Sequence, residues 1–215
     1  MSSAESEKQA AAEAAAALVE DGMTVGLGTG STVAYLLAAL AERRPDVRCV
    51  ATSLQTEQAA RELGLPLEPF QGIDRLDLTI DGADQVDPTG WLVKGGGAAH
   101  TREKIAAAAS ERFVVVVSAD KLVEAITPPI PLELLTFGVD ATLRALGLAE
   151  LRDVPPSPDG GLIADYLGPV EDPGEVADRL AATPGVVEHG LFPPELVSEV
   201  LVGRGDSVER IALTG

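Results

Sequence analysis

From Met23 onward the chain alternates short β-rich runs with helical stretches: "MTVGLG", "TVAYLLAALAERR", "VRCVAT", "LQTEQAARELG", "LDLTID", "WLV", "TREKIAAAASERF" and "FVVVVS". Strands that follow one another through helices are joined by crossovers, so this order implies a parallel sheet with helices packed on its faces, an α/β domain. After Asp120 the character changes. Prolines cluster in "TPPIPLELL", "DVPPSPDGG", "GPVEDPG" and "FPPEL", with helical patches between them. A second, smaller α/β domain is expected over residues 129–195. The tail "SEVLVGRGDSVERIALTG" reads as two short strands around a Gly-Asp turn, returning to a large domain made of residues 1–128 and 196–215. Ahead of the first strand, "MSSAESEKQAAAEAAAALVEDG" opens acidic and reads as an alanine-rich helix ending at Gly22, not as a signal peptide.

Charge narrows the choice of partners. Acidic residues number 34 against 16 basic, a net charge of −18, which excludes broad affinity for DNA, RNA or an anionic membrane. Partners are expected to be small molecules, with no nucleic acid and no membrane. An acidic, lysine-poor surface also suits high salt, where repulsion is screened. The lysines are Lys8, Lys94, Lys104 and Lys121, few enough for each to merit inspection. The single cysteine, Cys49, sits in apolar "VRCVATS" and reads as a core residue in a reducing compartment. No run approaches the ~18 apolar residues of a membrane helix, and the expected location is cytoplasmic.

Two glycine-rich loops carry the chemistry. "GLGTGST" (Gly26 to Thr32) follows a strand and precedes a helix, so backbone N–H groups and the positive helix end together form an anion site that fits a phosphate. A dinucleotide fingerprint would need glycine where Ser31 stands and an acid after the second strand, and a nucleotide P-loop would need Gly-Lys-Ser/Thr. The plain alternative is a tight turn with capping hydroxyls at Thr29, Ser31 and Thr32. In "LDLTIDGADQVDP" the strand ends at Asp81 and the chain turns through Gly82, which places Asp81 and Asp84 where ligands lie in open α/β sheets. These carboxylates can accept hydrogen bonds from sugar hydroxyls or shuttle protons, or simply make a solvated Asx turn. Their spacing with Asp87 is not that of a calcium loop, and the histidines, His100 and His189, are far apart in sequence, so no metal site is expected.

In "LVKGGGAAHTREK", Lys94 ends a strand, Gly95 to Gly97 allow close backbone approach, and Thr101 could cap a helix whose first turn contains Glu103. Alone, Glu103 would read as a partner of the helix dipole. Beside a lysine, two glycine loops and an aspartate pair, it reads as a general base. Proton abstraction next to a carbonyl needs this set: a carboxylate for the carbon-bound proton and cationic or N–H donors for the enediolate oxygen.

These residues resemble the ribose-5-phosphate isomerase A family. "GTGST", "TSLQTEQAARELGLPL", "DGAD", "KGGGAAHTREKI", "VSADKLV", "PLEL" and "GVVEHGLF" match its motifs in order and spacing over most of the chain. The resemblance implies interconversion of ribose 5-phosphate and ribulose 5-phosphate through a cis-enediol(ate), without metal or nucleotide cofactor. It also implies a Rossmann-like large domain, a small ferredoxin-like α/β domain and a homodimer or homotetramer. By position, Glu103 matches the catalytic base, and Asp81, Asp84 and Lys94 match the residues of sugar binding, ring opening and intermediate stabilisation. Thr29, Gly30, Ser31 and Thr32 match the phosphate-end loop, Lys8 a phosphate contact, and Lys121 a further substrate contact. Gly82 and Ala83 lie within the aspartate motif, and Gly95, Gly96 and Gly97 match the second backbone loop. One departure is "PSPDGGLIADY" where the family usually carries a "TDNGN"-like stretch. It bears on small-domain geometry and on any oligomer contact there. The competing readings are another sugar-phosphate aldose–ketose isomerase and a sugar-phosphate sensor that binds without turnover.

Overall fold

The computed structural model describes residues 3–213. Its elements in chain order are α1 (Ser3–Ala16), β1 (Thr24–Leu27), α2 (Ser31–Arg43), β2 (Arg48–Ala51), α3 (Leu54–Glu62), β3 (Leu76–Asp81), β4 (Gln85–Val86), β5 (Leu92–Val93), α4 (His100–Ala108), β6 (Ser110–Ser118), β7 (Ile130–Leu134), α5 (Val139–Leu146), β8 (Ala149–Leu151), β9 (Leu162–Tyr166), α6 (Pro173–Ala181), β10 (Val186–His189), β11 (Leu191–Phe192), β12 (Glu199–Arg204) and β13 (Ser207–Ala212). They divide into two compact units. The first comprises residues up to Ala83, Arg102–Leu122 and the chain from Pro194; the second comprises Asp84–Thr101 and Val123–Pro193.

The first unit is built on a six-stranded sheet in the order β13-β12-β6-β3-β1-β2. Its five strands from β2 to β12 are parallel, and β13 closes the edge as the antiparallel arm of a hairpin. This is the parallel α/β sheet expected from the alternating pattern, in the Rossmann-like form that the family resemblance implies. The alanines of α1 (Ala11, Ala12, Ala15, Ala16) and the leucines of α2 (Leu36, Leu37, Leu40) are buried with Val25, Leu27, Leu78, Ile80 and Val114. Alanine on the inner face of α1 costs little side-chain entropy and lets the helix lie close to its neighbours. The helix stops at Ala16 rather than Gly22. Arg43 donates to the carbonyls of Ala16 and Val19, and Leu18 and Val19 close shorter three-residue turns that end the spiral.

The second unit contains β7-α5-β8-β9-α6-β10, the β-α-β-β-α-β order of a ferredoxin-like fold, with an antiparallel sheet ordered β10-β7-β9-β8. Ile130, Leu132 and Leu134 of β7 are buried with Val176 and Leu180 of α6 and Leu146 of α5. A small three-stranded sheet, β11-β5-β4, completes it. This sheet explains why Asp84–Thr101, assigned by sequence to the large domain, groups with the second unit: β5 pairs with both β4 and β11. The departure "PSPDGG" forms a held turn. The Ser157 hydroxyl donates to the buried Glu133 carboxylate and accepts from the N–H groups of Asp159 and Gly161, and a Cβ at Gly161 would run into Glu133.

No helix among the described residues is long and apolar enough to cross a membrane. Cys49 is fully buried in β2, and burial pushes its thiol up to about 11. At pH 8 only about one native thiol in a thousand is then ionised. A thiol reagent at pH 8 should therefore leave the folded protein unmodified and label it stoichiometrically in denaturant. Fast labelling of the native chain would contradict this placement.

Candidate active site

In the first unit the parallel strands run β2-β1-β3 outward in both directions from β1, so the order reverses between β1 and β3. Ligands of open α/β sheets bind at the carboxyl ends of strands flanking such a reversal. Both first-unit motifs emerge there. Gly28 follows β1 and donates to the Ile80 carbonyl at 2.9 Å, while Asp81 ends β3 with its side chain fully buried. One Asp81 oxygen, Oδ1, accepts the N–H of Thr29 at 2.9 Å and of Gly82 at 2.7 Å. A Cβ at Gly28 would overlap the Asp81 carboxylate, so glycine is required for this approach. At Gly82 an added Cβ would meet only a carbonyl at 3.7 Å.

The loop is also held from below. Thr56 donates to the Gly28 carbonyl at 2.7 Å, and the Thr29 hydroxyl lies 3.1 Å from that of Thr52. Ser53 caps α3 by accepting the Thr56 N–H at 3.1 Å. Sequence reading missed Thr52 and Thr56; their signal was a hydroxyl-rich "TSLQT" at the end of the second strand.

Gly30, at φ +115°, turns the chain into α2, whose first residues are Ser31 and Thr32. Lys8 of α1 donates to the Ser31 hydroxyl at 3.0 Å, bringing an ammonium to the positive end of α2. Two positive sources at one point suit a phosphate. Lys121 lies in a single helical turn after β6, 3.7 Å from Asp120. The Asp120 carboxyl is held below the usual carboxylate range, first by the Ser118 hydroxyl that donates to it; partial burial opposes this, and Lys121 and Lys8 reinforce it. Lys8 thus bonds Ser31 at the start of α2, and both Lys8 and Lys121 act on the Asp120 carboxylate. Glu103 occupies the first turn of α4 and is 4% exposed. Thr101 is inside this helix rather than capping it, and its hydroxyl donates to Glu133.

The second unit holds the other set. Asp84 is exposed, and its N–H donates to the Val93 carbonyl at 2.7 Å while its Oδ2 accepts the Gly96 N–H at 2.8 Å. Asp81 and Asp84, a pair in sequence, therefore make different backbone contacts in different units. Lys94 is 3% exposed, anchored by its N–H to the Gly190 carbonyl at 2.8 Å, and its ammonium stands 5.5 Å from the Phe192 ring centroid. Gly95 adopts φ +107°, and a Cβ there would come within 2.7 Å of both His100 Nδ1 and Pro131. Gly190 is a further requirement that sequence reading missed, because a Cβ would strike the Lys94 carbonyl. Among the described residues no group of three or more His, Cys, Asp or Glu side chains could hold a metal ion.

Comparison with known proteins shows what the chain is similar to. The sequence model for "Ribose 5-phosphate isomerase A (phosphoriboisomerase A)" matches residues 48–207, and that for the DeoR C terminal sensor domain matches residues 3–64. Ribose-5-phosphate isomerase A of Caulobacter vibrioides is 45% identical, spanning 97% of this chain and 99% of its own. The same-named protein of Natronomonas pharaonis is 44% identical, spanning 95% and 96%. The solved structure of ribose 5-phosphate isomerase A from Methanocaldococcus jannaschii superposes with a TM-score of 0.89 at 33% identity, covering 95% of this chain and 97% of that one. A D-ribose-5-phosphate isomerase in complex with phospho-erythronic acid superposes at 0.91 with 34% identity, covering 97% and 99%.

The two glycines beside Asp81 should respond differently to a methyl group. Gly28→Ala forces apart the loop and the carboxylate and is expected to lower unfolding free energy by about 1–3 kcal/mol. Gly82→Ala, with room for its Cβ, should stay within ~0.5 kcal/mol of wild type. Urea unfolding checks both, and equal losses would refute the close approach at Gly28.

Proposed function

Because the chain belongs to the ribose 5-phosphate isomerase A family, we propose that it interconverts D-ribose 5-phosphate and D-ribulose 5-phosphate, a step of the non-oxidative pentose phosphate branch, with Glu103 as general base. The observation that carries this reading is the near-complete, two-way coverage at 45% identity by a protein of that name. The phospho-erythronic acid held by a related structure adds the ligand class. That molecule has a phosphate at one end and at the other a carboxylate, planar and anionic like an enediolate.

The proposed roles follow the chemistry of each residue. Ser31 and Thr32 at the start of α2, with Lys8 and Lys121, take the phosphate; helix dipole and ammonium groups both favour a dianion. Glu103 removes the proton from carbon 2 of the open-chain aldose. The electron pair forms the carbon 1–carbon 2 double bond, and charge moves onto the carbonyl oxygen. Lys94 offsets that charge, and its burial makes the offset larger than it would be in water. Glu103 then returns the proton to carbon 1 while the carbon 2 hydroxyl proton passes to the carbon 1 oxygen, which leaves the ketose with its carbon 1 hydroxyl and carbon 2 carbonyl. Asp84 and Asp81 bind the sugar and assist ring opening; the backbone bonds at Asp81 Oδ1 fix its carboxylate plane. Gly82, Ala83 and Gly95 to Gly97 supply the close backbone.

The competing sensor reading draws on the match over residues 3–64. That match ends before Asp81, Asp84, Lys94 and Glu103, the residues turnover would require. A homodimer or homotetramer in the cytoplasm completes the proposal, and sedimentation of the purified chain reads its oligomeric state.

Proton NMR of ribose 5-phosphate in heavy water, with chelator-treated protein, tests the reaction. Ribulose 5-phosphate should appear together with deuterium at carbon 2 of recovered ribose 5-phosphate. Glu103→Gln should lower kcat by about 10²–10⁴ while retaining sugar-phosphate affinity. Binding without product or exchange, in low and in molar salt, would replace the isomerase by the sensor.

A further inference from the structure

We propose that Arg152, held by Asp165, is a positioning residue that locks the Gly95–Gly96 peptide and, through it, the Asp84 carboxylate. The inference rests on the isomerase reading for its meaning, but its geometry lies entirely within the second unit. Arg152 follows β8, and its Nε and Nη2 donate side-on to the two oxygens of Asp165 in the neighbouring β9, at 2.7 and 2.6 Å. The two side chains are only 18% and 21% exposed, so solvent screens the pair weakly. With two nitrogens committed, the third, Nη1, points at the glycine loop. It donates to the Gly95 carbonyl at 2.9 Å and lies 3.4 Å from that of Gly96.

Peptide planarity turns this contact into a constraint. In a trans peptide the C=O of Gly95 and the N–H of Gly96 point in opposite directions. Arg152 holds the first, and Asp84 Oδ2 accepts the second at 2.8 Å. One rigid plane is thus gripped from both sides, and the guanidinium polarises it so that the N–H bonds the carboxylate more strongly. The order of groups is acid, guanidinium, peptide, acid, with unlike partners at every contact.

Three adjacent glycines have more conformational freedom to lose than any other tripeptide, and Gly95 is held at φ +107°. Within the loop the Gly95 carbonyl also accepts the Ala98 N–H at 3.0 Å, a single turn bond to which Arg152 adds a charged donor. Asp165 stands on β9, opposite Glu150 of β8, and Arg152 directly follows β8 with its N–H donating to the Ile163 carbonyl of β9 at 2.9 Å, so the grip is anchored at the sheet. Neither residue is in the motifs that carry the family resemblance, and Asp165 lies in the stretch where the chain departs from it.

Variants of the full chain test the clamp by two routes. Arg152→Ala should lower kcat for ribose 5-phosphate by about 10–100-fold with a smaller change in KM, while the thermal midpoint moves little. Arg152→Lys, which keeps the charge without the fork, should recover part of the loss, and Asp165→Asn should fall between. Added guanidinium ion should restore Arg152→Ala but not Asp84→Asn. In an Asp84→Asn background Arg152→Ala should cost only about 2–3-fold more, since the group it acts through is already neutral. Independently of turnover, exchange of the Gly96 amide proton should speed up at least about tenfold in Arg152→Ala as the peptide loosens. Wild-type kcat in Arg152→Ala, an unchanged Gly96 exchange rate, or a loss equally large in the Asp84→Asn background would overturn the proposal. A wild-type chain that did not isomerise ribose 5-phosphate would sink the functional reading and leave the exchange measurement to decide the clamp.

Discussion

A missing methyl group at Gly28 governs the loop after β1 in the first unit. Because no Cβ intervenes, the loop after β1 comes down onto the buried Asp81 carboxylate, and the Thr29 and Gly82 N–H groups converge on one oxygen. A buried charge is tolerable only when hydrogen-bonded, so the loop and the acid each justify the other's position. Everything the loop presents, from the turn at Gly30 to the hydroxyls at the start of α2, inherits its place from that contact. Thr52 just after β2 and Thr56 in the first turn of α3 hold the loop as well.

The second unit solves a similar problem with the opposite charge. Its glycine loop is gripped at the carbonyl by a guanidinium and at the amide by a carboxylate. Both loops use backbone for closeness and side chains for rigidity, which is the division of labour expected where a ligand must be approached without steric cost.

Local patterns made much of this legible. Apolar alternation located β1 and β3, a continuous valine run located β6, and the glycine runs marked both loops, since each signal is carried by residues adjacent in the chain. The motifs around Asp81, Lys94 and Glu103 were legible for the same reason. What escaped was set by distant partners. The α1 helix has good residues as far as Ala17, yet it ends where Arg43, 27 positions beyond Ala16, draws off its last carbonyls. Residues 84–101 look like part of the large domain until β5 finds β11 almost a hundred residues later. Arg152 carries no local mark, being one arginine among twelve, and Gly190, although it lies in the motif "GVVEHGLF", shows nothing beside it in the chain of the Lys94 carbonyl it must clear; only the surrounding backbone assigns them a task.

The order of strands in the six-stranded sheet also bears on how the chain leaves the ribosome. β6 carries "FVVVV" and is paired on one side by β3, made earlier, and on the other by β12, made about 80 residues later. At about 5–20 residues per second the nascent chain holds that apolar edge open for several seconds, long enough for the ferredoxin-like segment to be synthesised in full. An unpaired valine-rich edge is a template for intermolecular pairing. With the second unit's segment lying between β6 and β12, translation speed sets how long that edge waits for its partner, and the hairpin β12–β13 is the seam that closes it.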